Sequence, residues 1–365
     1  MEPQWGARAA DAEAAIVRRH LRRLWQLPGT QLGVVGWPPT ARDRAFGSWH
    51  YWWQAHLLDT LIDAQLRDPR PERLIHIRRQ VRGHHARNLG RWTNSYYDDM
   101  AWLALALERA ARLAGVRRPR ALASLCSQLV GSWMPESGGG IPWRKQDRFF
   151  NAPANGPAGI FLARYGEHLP RAQAMADWLD DTLIDPETHL VFDGIRDGSL
   201  VRAQYTYCQG VVVGLETELA VRTGEPRHVR RAGRLVAAIA EHMAPGGVLR
   251  GGGGGDGGLF AGITARYLAL AAHRLPGDRD AREAAREIVL ASAAAAWDNR
   301  CSVDGLPLFG SFWDRPAELP TAGGRTARFA SGAVHASEVA ERDLSVQISG
   351  WMLMEAAHTV SVRPG

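Results

Sequence analysis

Apolar residues recur along this chain at helical spacing, i, i+3, i+4 and i+7, and nowhere alternate convincingly as half-buried strands do. The pattern predicts about twelve helices, near 7–27, 48–67, 71–87, 96–114, 118–133, 154–168, 170–184, 205–222, 226–243, 256–275, 279–299 and 343–360. Proline and glycine punctuate nearly every junction between them.

The segments alternate between two kinds. The odd-numbered ones are amphipathic and rich in arginine, as in His228-Val229-Arg230-Arg231-Ala232-Gly233-Arg234-Leu235, with one wet and one dry face. The even-numbered ones open on aromatic, glycine or polar residues and continue as helices that are apolar nearly all round, which marks them as buried. Examples are Trp49-His50-Tyr51-Trp52-Trp53-Gln54, Tyr205-Thr206-Tyr207-Cys208-Gln209-Gly210 and Leu344-Ser345-Val346-Gln347. Outer helices alternating with inner ones describe an all-α protein, an (α/α)6 barrel in which every inner N-terminus points to the same end. We expect a single catalytic domain over 1–365, with flexible ends at 1–6 and 361–365.

In such a barrel the polar helix openings converge on one mouth, and one of them carries two adjacent carboxylates, Asp98 and Asp99. In a first helical turn the macrodipole favours their anionic forms, while mutual repulsion and desolvation push one of them to keep its proton. One ionised and one protonated carboxyl is what glycoside hydrolysis requires. A solvent-exposed N-cap would explain the pair equally well in isolation, but has no need of the other polar, aromatic openings around it. Of the 14 tryptophans, Trp143 and Trp313 fall on loops and are candidates to stack on the apolar faces of sugar rings.

Composition narrows the classes. The net charge of +6 suggests a polyanion partner, but only Lys145 among the basic residues is a lysine, and the arginines are interspersed with alanine, glycine and glutamate. Clusters such as Arg18-Arg19/Arg22-Arg23 and Arg227/Arg230-Arg231/Arg234 read as solvated helix faces, so no nucleic acid is expected. Cys126, Cys208 and Cys301 are widely spaced, and His84-His85 lacks further ligands, so neither disulfides, a metal nor another cofactor is expected. The run Gly251–Gly255 before Asp256 lacks the lysine of a phosphate loop and reads as a flexible hinge capped by Asp256. The N-terminal segment has no uncharged apolar core and no stretch is long enough to span a membrane, so the expectation is a cytoplasmic protein, with a monomer favoured.

Five motifs in order resemble glycoside hydrolase family 76, the endo-α-1,6-mannanases. They are Tyr96-Tyr97-Asp98-Asp99, Gly138-Gly139-Gly140-Ile141, Asn151-Ala152-Pro153-Ala154-Asn155-Gly156, Tyr205-Thr206-Tyr207-Cys208-Gln209-Gly210 and Gly255-Asp256-Gly257-Gly258-Leu259-Phe260. The resemblance covers about residues 45–360. It implies a barrel hydrolysing α-1,6-linked mannan with retention, Asp98 matching the nucleophile and Asp99 the acid/base. Cys208 replaces a frequent asparagine, and Asp256-Gly257-Gly258 a frequent Asp-Gln-Gly, which alters sugar contacts. Tyr97, Trp143, Asn155, Asp193, Tyr205, Tyr207, Gln209 and Asp256 are the candidates to bind substrate.

Consecutive helical side chains diverge by about 100°, so the two carboxyls can lie on the order of 5 Å apart, the spacing of a retaining enzyme. Three alternatives stay open: a transglycosylase acting on α-mannosyl chains, a non-catalytic mannan-binding protein, and a sugar epimerase. The last would need basic residues inside the barrel, where His50 and His56 read as buried, satisfied histidines. An α-1,6-mannan ordinarily lies outside the cytoplasm, which leaves imported fragments, a misplaced start or non-standard export as explanations.

Overall fold

A computed structural model describes residues 5–362. Twelve main helices carry the fold: α1 (Trp5–Arg19), α2 (Tyr51–Arg67), α3 (Pro71–Arg87), α4 (Tyr97–Leu113), α5 (Pro119–Gly131), α6 (Ala152–Arg164), α7 (Leu169–Leu183), α8 (Thr206–Thr223), α9 (Pro226–Ala238), α10 (Phe260–Arg274), α11 (Arg279–Asp298) and α12 (Leu344–Ser361). The even-numbered helices pack as a closed ring, α2 on α4, α4 on α6, and so on through α12, which returns to α2. The odd-numbered helices lie outside them, and the result is an (α/α)6 barrel. Of the two ends expected to be flexible, 1–4 and 363–365 lie outside the described residues. Trp5 and Gly6 belong to α1, where Trp5 is buried, and Ser361 belongs to α12, so these three residues are helical.

Burial separates the two layers as the sequence pattern requires. Every residue of α12 from Leu344 to Ala357 is buried, whereas α9 buries only His228, Ala232, Leu235, Val236 and Ala238. Its arginines are not simply solvated. Arg227 and Arg231 pair with Asp177, and Arg231 and Arg234 with Asp180, which laces α9 to α7. Close approach of the inner helices rests on small residues. A Cβ on Gly210 of α8 would lie 2.7 Å from the Cα of Thr264 on α10, and one on Gly262 would meet Ser349 of α12 at 2.6 Å. These glycines fix inter-helix distance by having no side chain.

Four inner helices open on the same device. Gln54 in α2 accepts from the Gly33 N–H at 2.9 Å and donates to the Gly33 and Trp49 carbonyls. Asn155 in α6 does this to Ile141 and Asn151, Gln209 in α8 to Val191 and Tyr205, and Gln347 in α12 to Phe309 and Glu341. Each carboxamide matches the donor and acceptor of one loop residue, as a paired strand would, and so ties a loop to the barrel rim. The other two inner helices open differently: α4 on Asp98 and Asp99, and α10 on a 3-10 turn, Gly255–Leu259, that holds Asp256.

Short strands that the apolar pattern did not reveal decorate this rim. Phe149–Asn151, Gly194–Arg196 and Ser199–Val201 form a small antiparallel sheet, and Arg328–Ala330 pairs with Ala333–His335 as a hairpin. Another antiparallel pair, Leu21–Arg22 with Leu32–Gly33, interrupts the first expected helix, which ends at Arg19.

Candidate active site

The cleft opens at the N-terminal ends of the inner helices and encloses about 280 Å³. Asp98 and Asp99 lie in the first turn of α4, behind Tyr96, which takes the N-cap position without a capping side chain. Both aspartates are half-buried and line the cleft.

The hydrogen bonds around them are unequal. Asp98 Oδ1 accepts from the Asp99 backbone N–H at 2.8 Å, and Oδ2 from the Trp143 indole N–H at 2.9 Å. Both oxygens therefore face donors that cannot accept, an arrangement that favours the carboxylate. Asp99 has one side-chain partner, the Asn94 amide, which donates to Oδ2. The orientation of that amide is dictated elsewhere, because Asn94 Oδ1 accepts from the Tyr96 N–H at 2.9 Å. Asn94 thus presents NH2 to Asp99, and a proton on neutral Asp99 belongs on Oδ1.

Electrostatics follow the same order. Burial lifts Asp98 to about 7, opposed by the Asp99 and Trp143 N–H groups. Burial, then the negative charge of Asp98, pushes Asp99 well above the usual carboxylate range. On raising the pH, Asp98 ionises first while Asp99 keeps its proton.

Asp256 faces the pair from the other open helix start and is raised by burial. Its Oδ1 accepts from the indole N–H groups of Trp52 and Trp53, at 2.9 and 3.0 Å, and its Oδ2 from the Val334 N–H at 2.7 Å. It is not the helix cap expected from the sequence. It anchors the 328–335 hairpin across the mouth, where Phe329 stands exposed and the Gly332 turn abuts the Trp143 ring. The glycine run before it is closely packed: a Cβ on Gly251 would lie 2.1 Å from the Ser311 carbonyl, and one on Gly255, at φ +60, as close to that of Val334. Gly253 alone has open space, and packing holds the run on both sides of it.

Of the other candidates, Trp143, Asp193, Tyr205 and Tyr207 line the cleft. Asp193 directly precedes the strand Gly194–Arg196, is lifted by burial to about 6, and has the Cys208 thiol 3.9 Å away. Tyr207 stacks on Phe260 with ring centroids 3.9 Å apart, which turns an aromatic wall toward the acids.

Asn155 and Gln209 are fully buried, spend their amides on loop backbone and line no part of the cleft. They are rim clasps, not sugar contacts. Tyr97 also fails to line it; its neighbour Tyr96 does, packed edge-on to Trp143. Trp313, expected as a platform, is buried with its carbonyl accepting from Asn299. His50 lines the cleft, half-buried, and His56 is buried beneath Trp52 and Trp102, but neither ring is satisfied. His50 Nε2 and both His56 nitrogens lack partners, and burial lowers the two rings to about 4 and about 3, leaving them neutral.

Sequence reasoning missed Trp52, Asn151 and Phe329 in the cleft lining, and Asn94, which bonds to Asp99. Asn94 alone left a local signal, as an Asn two residues before the N-cap Tyr96, where an Asx turn is common.

A larger cavity of about 580 Å³ opens at the opposite end, by the C-terminal turns of the inner helices. There Arg109 and Arg266 are both paired with Asp59 and Asp63, Glu218 with Arg164, and Glu355, lifted by burial to about 7, with Arg67, so every one of these carboxyls faces an arginine, whereas Asp98 and Asp99 face none. Chemistry, not volume, selects the smaller cleft.

The profile of glycosyl hydrolase family 76 matches residues 8–347. Among solved structures, the α-1,6-mannanase GH76A of Salegentibacter sp. HEL1_6 is similar with TM-score 0.82 and 30% identity, over 98% of this chain and 100% of that one. An inactive variant of the same enzyme, with two consecutive aspartates changed to asparagine, was solved with α-1,6-mannotriose and is similar to the same TM-score at 29% identity, over 98% and 100% of the two chains. The Lin0763 protein of Listeria innocua matches with TM-score 0.80 and 25% identity, over 98% of this chain and 97% of that one. No curated protein sequence matches.

Proposed function

Because the chain belongs to glycosyl hydrolase family 76 and is a glycoside hydrolase, we propose that it cleaves α-1,6-mannosidic linkages within mannan chains, with retention of configuration. The observation that carries this reading is the unequal solvation of two adjacent carboxyls in one cleft. Asp98, with an N–H donor on each oxygen, is the nucleophile. Asp99, with Oδ1 free of protein partners, is the acid that protonates the departing oxygen and then, as a base, activates water. The mannotriose complex of the Salegentibacter enzyme, at 29% identity, supports the linkage, and its inactivity on loss of two consecutive aspartates supports the pair.

Around the acids, the Tyr207 and Phe260 wall and the Trp52 and Trp102 rings offer flat apolar faces to pyranose rings. Asp193 and Asn151 supply polar groups for hydroxyls. Incubation with linear α-1,6-mannotetraose tests the proposal: shorter oligosaccharides should appear, with the new reducing end first in the α configuration by NMR. A first-formed β anomer would overturn retention, no cleavage would overturn the linkage, and products longer than the substrate would favour transfer to sugar over transfer to water.

A further inference from the structure

We propose that one side of the barrel, at its cleft-bearing end, is a docking surface for an anionic lipid bilayer. The surface is built from two segments, 21–47 and 74–91, in contact with each other. The Gln31 N–H donates to the Arg79 carbonyl at 3.1 Å, Arg82 donates to the Gly29 carbonyl at 2.6 Å, and Arg87 lies over the Trp25 ring and donates to the Phe46 carbonyl.

Charge is the first observation. Arg22 and Arg23 precede the 24–31 loop, Arg42 and Arg44 lie on a one-turn helix, and Arg78, Arg79 and Arg82 with Ile75 form one exposed stripe of α3, followed by Arg91. None of these eight arginines pairs with a carboxylate among the described residues, although Arg227, Arg231 and Arg234 elsewhere on the outer layer all do. The one acid within the two segments, Asp43, is buried and occupied in a capping box with Thr40. The solvated-face reading of Arg22 and Arg23 therefore omits what surrounds them.

Protruding apolar groups are the second observation. Trp25 is 47% exposed, Leu27 42% and Leu89 82%. Trp25 and Gln26 both have positive φ, 45° and 60°, and Leu89, at the end of α3, has φ 53° where glycine would be the relaxed choice. The fold gains no packing from Leu89 in return for that conformation. Arginines ringing a few protruding Trp and Leu side chains suit an anionic interface, where each cation is attracted to the headgroups and the apolar tips enter the acyl boundary. A second copy would meet this surface with like charge. Aliphatic tips gain nothing on a nucleic-acid backbone.

Position gives the surface a use. The segment leaving Leu89 runs straight into the cleft wall, since the Trp92 carbonyl accepts from the hydroxyl of Tyr51, a cleft residue. Docking would therefore set the cleft mouth beside the bilayer, where a glycan anchored in that surface would be presented; this last step rests on the proposed mannanase activity. No described helix is long and apolar enough to cross a membrane, so the association is peripheral.

Co-sedimentation with vesicles of equal parts phosphatidylglycerol and phosphatidylcholine tests it, with phosphatidylcholine vesicles as control and cleavage of soluble α-1,6-mannotetraose followed in parallel. The full chain should pellet with the anionic vesicles only and be released by salt. Arg78→Glu/Arg79→Glu should lower partitioning about tenfold or more. Leu27→Ser/Leu89→Gly should lower it about tenfold, with Leu89→Gly raising Tm by removing the strained conformation. Neither variant should alter turnover of the soluble substrate. Absence of pelleting, pelleting unchanged in both variants, or tighter binding to duplex DNA than to vesicles would overturn the proposal. Because vesicle binding is read without substrate, its failure is distinct from failure of the mannanase reading.

Discussion

The indole of Trp143 donates to Asp98 Oδ2 at 2.9 Å, and the same ring is wedged under the Gly332 turn of the hairpin that Asp256 holds in place. The residue read from the sequence as a sugar platform is thus also a solvating donor for one of the two acids. A donor to the charged form lowers the pKa of a carboxyl, so its loss raises that of Asp98. Trp143→Phe keeps a ring and removes the donor. Hydrogen bonds to charged groups are worth about 1.5–3 kcal/mol, so the acid limb of kcat/KM, set by Asp98 near 7, should move up by about one to two pH units. A limb that stays in place while KM alone rises would reduce Trp143 to a stacking surface.

Asn94 acts on the other carboxyl. Its amide donates to Asp99 Oδ2 and opposes the upward push of burial and of Asp98. Asn94→Ala should therefore raise Asp99 further, move the alkaline limb to higher pH, and make it a weaker acid. Mannan cleavage should fall by about tenfold or more, with a smaller loss on an aryl mannoside whose leaving group departs unaided. Equal losses on both substrates, with no movement of the limb, would contradict this role.

Gln209 separates reading by residue type from reading by structure. Its amide is satisfied by Val191 and Tyr205 backbone, so Gln209→Leu would strand one buried N–H and free two carbonyls. Each buried unsatisfied group costs about 1–3 kcal/mol. The variant should lose several degrees of Tm, with KM for short mannosides nearly unchanged in the fraction that remains folded. A large rise in KM at unchanged Tm would restore Gln209 to the sugar site.

The helices were legible because a 3.6 period repeated over four or five turns is a strong signal, and the layers because inner helices such as α12 lack a wet face. The place of the acid pair was legible for a related reason: where inner helices share one open end, a helix that starts on Asp98 and Asp99 brings both carboxyls to the mouth. The rim was not. Gln209 and Asn155 have the same side-chain chemistry whether they clasp a loop or a sugar, and only the positions of Val191 and Ile141 decide. The 328–335 hairpin has strands of three residues, too short for a period of two to register, so Phe329 and the anchor at Val334 left no trace in the sequence.

Stability should record the strain of the acid pair. Asp98 has a folded value near 7, above its unfolded value, so the folded chain binds the extra proton between about pH 4 and 7. Its contribution to stability is therefore full at the acid end of that window and lost as the pH rises through it. Asp98→Asn removes this titration. The difference in Tm between variant and parent should grow in the variant's favour by a few degrees from pH 4.5 to 8. A difference independent of pH would mean that Asp98 is not desolvated.

The roles of the two aspartates can be separated because asparagine suits their surroundings differently. At 99, the amide oxygen can keep the Asn94 bond while its NH2 replaces the acid O–H, so Asp99→Asn mimics the neutral acid and removes only proton delivery. At 98, both oxygens face N–H donors, so Asp98→Asn must turn its own NH2 toward either the Asp99 N–H or the Trp143 indole. Asp98→Asn should abolish turnover of every mannoside. Asp99→Asn should abolish cleavage of mannan, whose leaving group needs a proton, yet still form a glycosyl–enzyme from an activated aryl mannoside. Azide, which needs no general base, should then release that intermediate as a mannosyl azide of α configuration, detected by NMR. Rescue of the Asp98 variant instead would reverse the assignment, and full activity of both single variants on mannan would reduce the pair to a helix start.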